Sequence, residues 1–224
     1  MASKNLIIIG DGEFAEIAYE YFTHDSDYDV AGFAVDREYL TKRELFGLPV
    51  VALDQAERQF APSSHAAHVA VTYSQLNRVR ARLCAAAKAR GYTLANYVSS
   101  RAFVWRNVAL GENCFIFEAN VIQYSVRIGN NVVLWSGNHI GHQSTIGDNC
   151  FLSSHVVVSG YCRIGENSFL GVNSTLRDHI TIGRDAVIGA GAVVVKDVAE
   201  RAVVRGNPAV AAGDSFAAFG VREE

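Results

Sequence analysis

No apolar run in this chain approaches the roughly 20 residues needed to cross a bilayer, which argues against a membrane-spanning helix. The 20 lysines and arginines, set against 23 acidic residues for a net charge of -3, gather into no stripe or patch. Neither a nucleic-acid backbone nor an anionic lipid surface is therefore an expected partner. Lys4 leads directly into the strand-like Leu6-Ile7-Ile8-Ile9 with no cleavable signal pattern, so the expected location is the cytoplasm. The four cysteines form no Cys-x-x-Cys pair. Three of them, Cys114, Cys150 and Cys162, fall in one phase of the repeat described next, where small inward side chains are wanted. They read as core thiols, and no metal site is expected.

What the chain has instead is a ladder. Half of its 224 residues are hydrophobic, enough for one large or two small domains. Seventeen of them stand at six-residue intervals, from Val98, Val104 and Leu110 through Ile140 and Ile146 to Ile188 and Val194. Neither a helical period of about 3.6 nor a strand period of 2 produces a strict six, whereas a hexapeptide β-helix does. Each hexad supplies one short strand and a turn, three hexads make a coil, and residues 18 apart stack. Positions two before the ladder are mostly small, including Ala102, Ser144, Ser168, Ser174, Ala186 and Ala192, as tight inward corners require. Asn120 and Asn138 occupy that phase one coil apart. They form either an amide ladder between coils or a polar lining under a site, in which case Asn138 would touch substrate. The ladder fails at Glu200, so residues 201–208 are expected to leave the helix as a cap.

Before the ladder the pattern alternates: strand Leu6 to Ile9, helix Glu13 to Phe22, strand Asp29 to Val35, a short helix near Leu53 to Phe60, strand His68 to Thr72, helix Gln75 to Arg90 ended by Gly91, and a strand from Tyr92 to Asn96. This predicts a small Rossmann-like parallel α/β sheet. The fold class is thus α/β plus β-solenoid, with residues 1–97 as the sheet domain and 98–224 as a left-handed parallel β-helix with a C-terminal cap.

Gly10-Asp11-Gly12-Glu13-Phe14-Ala15 follows the first strand and opens the first helix. Glycines allow close approach of a phosphate, and the helix N-terminus offers free N–H groups. Asp36, followed by Arg37, ends the second strand where an acid that binds ribose or base is expected. Fewer than 100 residues are too few for the six-stranded fold that binds NAD, which favours a nucleotide or nucleotide sugar. In the solenoid, histidines cluster in Asn138-His139-Ile140-Gly141-His142-Gln143-Ser144-Thr145-Ile146-Gly147, with His155 and His179 beyond. His142, two past the ladder residue Ile140, occupies a turn position from which a neutral imidazole can take a proton from an amine or hydroxyl.

A Gly-rich α/β domain joined to a hexapeptide helix containing this histidine motif resembles the sugar acyltransferases related to sialic-acid O-acetyltransferase. These include N-acetyltransferases of nucleotide-linked 4-amino-4,6-dideoxy sugars. The resemblance runs from Asn5 to Pro208. It implies a homotrimer with active sites between subunits, acetyl-CoA as co-substrate, and a nucleotide sugar held by the N-terminal domain at Gly10, Gly12, Phe14, Asp36 and Arg37. It also implies His142 as general base, with the Gly160 N–H one coil later as donor to the developing oxyanion. Gly171, Val172, Gly189, Ala190 and Gly191, together with Gly160, fall where the family lays CoA.

Two positions depart from the family. Gln143 stands where many relatives have an acid beside the histidine, leaving Glu118 or Asp148 as candidate helpers, or an unassisted base. An amine needs less help than a hydroxyl, so N-acetyl transfer is favoured over O-acetyl transfer. Phe14 stands where several UDP-sugar relatives have histidine, which leaves the base unassigned. Rival readings fare less well. A three-histidine zinc carbonic anhydrase would not explain the N-terminal domain, a sugar-nucleotide pyrophosphorylase would need a larger domain and a basic Gly-rich loop, and a silent scaffold would have no need of His142.

Overall fold

The computed structural model describes residues 4–221, so the outermost three residues of each assigned domain lie outside it. The chain forms two compact units. One comprises the residues up to Thr72 with Arg80–Tyr97, and the other comprises Tyr73–Val79 with the chain from Val98 onward.

The first unit is built on β1 (Lys4–Ile9), whose residues Leu6 to Ile9 are wholly buried. An unbroken apolar run of this kind suits a central strand covered on both faces. It pairs in parallel with β2 (Tyr28–Val35) and, on its other edge, with β5 (His65–Val69). A hairpin missing from the sequence reading, β3 (Glu44–Leu45) and β4 (Leu48–Ala52), extends the sheet to the order β3-β4-β2-β1-β5. Its turn is Phe46-Gly47, both at positive φ, as a two-residue hairpin of matching twist demands. Helix α1 (Glu13–His24) buries Phe14, Ala15, Ala18 and Phe22, and the one-turn α2 (Ala56–Gln59) follows β4. Helix α3 (Arg78–Ala89) begins three residues later than expected, because Gln75, Leu76 and Asn77 all take left-handed φ values. Tyr92 to Asn96 forms no full strand; a single bridge joins Leu94 to Ala67. His68 is enclosed, with Nδ1 2.9 Å from the Ala95 carbonyl, which can only accept, so Nδ1 carries the proton.

The second unit is the left-handed parallel β-helix. Two-residue strands recur every six residues from Tyr97–Val98 to Val193–Val194, and each ends on a ladder residue. Pairing is parallel and 18 residues apart, as in Ile122 with Ile140, Ile128 with Ile146, and Leu134 with Leu152. From Ile116 onward the three turns of a coil share one device, a left-handed residue three before each ladder position. From Asn113 to Asp185 these non-glycine residues have φ between 54° and 61°. Asparagine tolerates that conformation best, and one corner stacks four of them. Amide donates to amide from Asn113 to Asn131 (3.0 Å), Asn131 to Asn149 (2.8 Å) and Asn149 to Asn167 (3.1 Å). Cys114, Cys150 and Cys162 lie inside, wholly buried, their thiols donating to backbone carbonyls at 3.1–3.2 Å, and none of the four cysteines is in a disulfide.

The three faces differ outside. On the first, Phe151, Phe169, Val187 and Val203 are covered by Tyr73, Leu76 and helix α4 (Ser215–Phe219). Arg78 clamps this cover by pairing with Asp185 at 2.9 Å, and both Arg78 and Arg201 lie over the Phe216 ring. The second face points Phe103, Val121, His139, Val157, Thr175 and Val193 outward; the third points Ala109, Arg127, Thr145, Arg163 and Thr181.

The expectation that residues 201–208 leave the helix is corrected. Ala202–Arg205 pairs in parallel with Val187–Ile188, Val203 opposite Val187, and Val198 bridges Ile182. The last coil takes 16 residues instead of 18, so the ladder continues out of phase. The chain then reverses into Val210–Asp214, antiparallel to Ala202–Arg205, and Asp214 caps α4. Among the described residues no helix is long and apolar enough to cross a membrane.

Two outcomes follow from these contacts. Asn149→Ala breaks two amide bonds and puts alanine in a left-handed turn, so it should lower the stability of the β-helix by about 2 kcal/mol in urea unfolding, against less than about 0.5 kcal/mol for Thr145→Ala. Burial, aided by Arg80 and opposed by the bond to Ala95, lowers the His68 pKa to about 4. The unfolded chain then binds the extra proton below about pH 6.5. Stability should therefore be full above that pH and fall between about 6.5 and 4, and His68→Gln should flatten the dependence.

Candidate functional site

The corner between the second and third faces carries His142. Its imidazole is held on three sides. Gln123, one coil earlier, turns its side-chain oxygen towards it: Oε1 accepts the His142 backbone N–H at 3.0 Å and lies 3.4 Å from Nδ1. Tyr161 meets the ring edge-on, with centroids 5.1 Å apart, and is itself stacked on His179 at 4.6 Å. Beneath lies Gly160: a β-carbon there would stand 2.7 Å from Cε1 and 2.8 Å from Nε2, so the imidazole occupies the space a side chain would need. His179 pairs with Asp178 at 3.7 Å.

The flanking amides of Ser159 and Tyr161 donate to Leu176 and His142, whereas Gly160 N–H has no acceptor among the described residues. The reason is phase. The residue that stands to Gly160 as Gln123 stands to His142 is Gly141, which has no side chain to offer; a β-carbon there would lie 2.6 Å from Gly160 N. An amide without an acceptor thus lies at the same corner as an imidazole, the pair of groups that acyl transfer uses.

Gln143 plays a different part: it holds the left-handed turn position, φ 57°, and donates its backbone N–H to Tyr124 O. The acids once considered as helpers are engaged elsewhere. Asp148 accepts from Asn130 N at 2.7 Å, in the corner that carries the asparagine ladder, and Glu118 accepts from Ser136 Oγ at 2.6 Å. The neighbour the sequence reading missed is Gln123; one coil plus one residue, a step of 19, is the signal that would have found it.

Gly171 and Gly189 stack at the corner between the first and second faces, with Val172, Ala190 and Gly191 exposed beside them. Gly171 must be glycine, since a β-carbon would lie 2.6 Å from Ala190 N. Within one chain, this corner and the His142 corner are separated by the width of the second face. Asn138 lies in the same corner as Gly171, two coils earlier, but does not face outward there. It is buried inside the coil, donating to Trp135 O and accepting from Val156 N at 2.7 Å, so it serves the bonding of adjacent coils rather than a substrate. His139 points outward on the second face, and His155 packs over Gly137.

In the first unit, Gly10 (φ 130°) donates to Ala34 O at 2.8 Å, and a β-carbon on it would lie 2.7 Å from Ala70 O. Gly12 caps α1 with no side-chain bond of its own. Lys42 reaches over the turn to Asp11 O at 2.8 Å. Asp36 is paired with Arg82 at 2.6 Å, a bond that raises the Arg82 pKa. Arg37 forks onto Asp54 at 2.9 and 3.0 Å. Phe14 is corrected: it is buried in the sheet–helix core, so its ring offers no platform for a base.

The solenoid matches the bacterial transferase hexapeptide (six repeats) family over residues 125–160 and 161–196. No curated protein sequence matches the chain. Solved structures do. Perosamine N-acetyltransferase from Caulobacter crescentus, crystallised with CoA and GDP-perosamine as a variant with one histidine replaced, is 29% identical, with a TM-score of 0.85 over 94% of this chain and 97% of that one. The acetyltransferase domain of PglB from Neisseria gonorrhoeae, also solved with acetyl coenzyme A, is 25% identical, with a TM-score of 0.83 over 94% of this chain and 100% of that one. WeeI from Acinetobacter baumannii, 21% identical with a TM-score of 0.78 over 94% and 100%, shares the fold.

Proposed function

We propose that this protein, a hexapeptide-repeat sugar acyltransferase, transfers acetyl from acetyl-CoA to the amino group of a nucleotide-linked 4-amino-4,6-dideoxyhexose, with His142 as general base. The observation that carries the reading is the imidazole of His142 resting on Gly160, whose amide has no acceptor among the described residues. The likeness over nearly the whole chain to a nucleotide-amino-sugar N-acetyltransferase crystallised with CoA and its sugar supports it.

The chemistry runs as follows. The neutral amine attacks the thioester carbonyl carbon while His142 accepts a proton from the nitrogen. Negative charge collects on the carbonyl oxygen, where Gly160 N–H can donate to it. The intermediate collapses to the amide, and CoA leaves as the thiolate, to which the imidazolium can return the proton. Among the described residues no carboxylate pairs with the ring, and an unassisted base suffices for an amine better than for a hydroxyl.

Gly171, Val172, Gly189, Ala190 and Gly191 are the proposed CoA contacts, and Gly10, Gly12 and the Asp36–Arg82 pair the proposed contacts to the nucleotide sugar. Because the CoA corner and the His142 corner are separated within a chain, the reading requires a homotrimer in which one subunit's CoA corner meets the next subunit's His142. The second face supports this. Phe103 and Val157 are 52% and 37% exposed there, large apolar side chains that association would cover.

Release of CoA thiol with GDP-, UDP- and dTDP-linked 4-amino-4,6-dideoxyhexoses tests the reaction. His142→Ala should lower turnover by a factor on the order of 10² to 10⁴ with the fold intact, and undiminished turnover would remove His142 from the mechanism. Val157→Glu should convert a species of three times 24.3 kDa to monomer in light scattering and abolish transfer. A fully active monomer would overturn the intersubunit site.

A further inference from the structure

Resting on that reading of His142, we infer that Gln123 is a positioning residue that fixes the imidazole in its Nδ1–H tautomer and so makes Nε2 the basic nitrogen. The His142 backbone N–H can donate but never accept, so the atom of the Gln123 carboxamide that it meets at 3.0 Å must be the oxygen. That same oxygen faces Nδ1 at 3.4 Å. A ring nitrogen placed against an acceptor is favoured when it carries the proton, and in a neutral imidazole the lone pair then resides on the other nitrogen. Nε2 is the ring nitrogen that lies closer to the Gly160 position, 2.8 Å against 3.1 Å for Nδ1 from where a β-carbon there would stand. The basic atom is thereby the ring nitrogen nearer to Gly160.

This assigns to Gln123 the orienting task for which an acid next to the histidine is the obvious candidate, and it does so without charge. Tyr161 braces the ring edge and Asp178 is taken up by His179, so among the described residues no other group beside the imidazole competes for Nδ1. The neutral acceptor also leaves the ring more ready to give its proton back to departing thiolate than a carboxylate partner would.

Nitrogen-15 NMR of histidine-labelled full-length protein, held above the imidazole pKa and with the His142→Ala protein as a subtraction reference, reads the tautomer directly. Wild type is expected to show His142 with a protonated Nδ1 and an unprotonated Nε2. In Gln123→Leu the Nε2–H form should appear, and kcat on the nucleotide-linked amino sugar should fall by at least roughly tenfold with KM for acetyl-CoA little changed. Gln123→Glu keeps an acceptor at the position and should retain the Nδ1–H form, which controls for a folding defect in the leucine variant. A wild-type His142 protonated at Nε2, or a Gln123→Leu protein with unaltered tautomer, overturns the inference. Unchanged turnover in His142→Ala would sink the base assignment instead and leave the tautomer result standing.

Discussion

Everything in the larger unit depends on a left-handed residue recurring every six positions. It lets the chain turn through a corner in very few residues, and with three such corners per coil the strands of successive coils come into register at a spacing of 18. Once that register holds, side chains stack on their own kind: isoleucine and leucine on the axis, small residues and cysteines inside the corners, asparagine amides bonded in a column. The site is a local exception to the same rule. At one corner a histidine takes the space above a glycine, and a glycine one coil earlier leaves an amide without an acceptor.

The corners have different duties because the residues that fill them differ. The corner with the asparagine column is closed on itself, its side chains bonded from coil to coil and Asp148 enlisted in the same pattern. The other two carry aromatic rings, histidines and exposed glycines, and their side-chain bonds between coils are of mixed kinds, as in Gln123 with His142, Glu118 with Ser136 and Asn138 with Val156. A repeat protein can devote one edge to cohesion and leave the others for chemistry, since any coil is stabilised mainly by its immediate neighbours.

The six-residue ladder was legible in the sequence because one side chain in six faces a dry core at constant geometry, and the same regularity made the inward cysteines and His142's corner readable. Irregular contacts were not legible. The Phe46-Gly47 hairpin rests on short strands with little alternation, and the membership of Tyr73–Val79 in the second unit depends on three successive left-handed residues that no propensity suggests. Glu200 looked like the end of the helix because the period, not the fold, was interrupted; dropping two residues restores pairing with Val203 opposite Val187. Gln123 escaped notice because its partner is a backbone N–H 19 positions away, a contact that only the stacked coils create. Phe14 and Asn138 misled in the opposite direction, their residue types fitting a binding role while burial commits them to the core.

The shortened last coil and the reversed strand after it bear on solubility. An uncapped β-helix ends in rows of unpaired backbone groups running parallel to those of any other copy, a template on which a second molecule can add end to end without limit. Here the final rung is out of step by two residues, and on the first face the outermost strand, Val210–Asp214, runs against the rest. A copy arriving end-on finds neither the phase nor the polarity it would need to continue the pile, so growth along the axis is stopped by geometry rather than by charge.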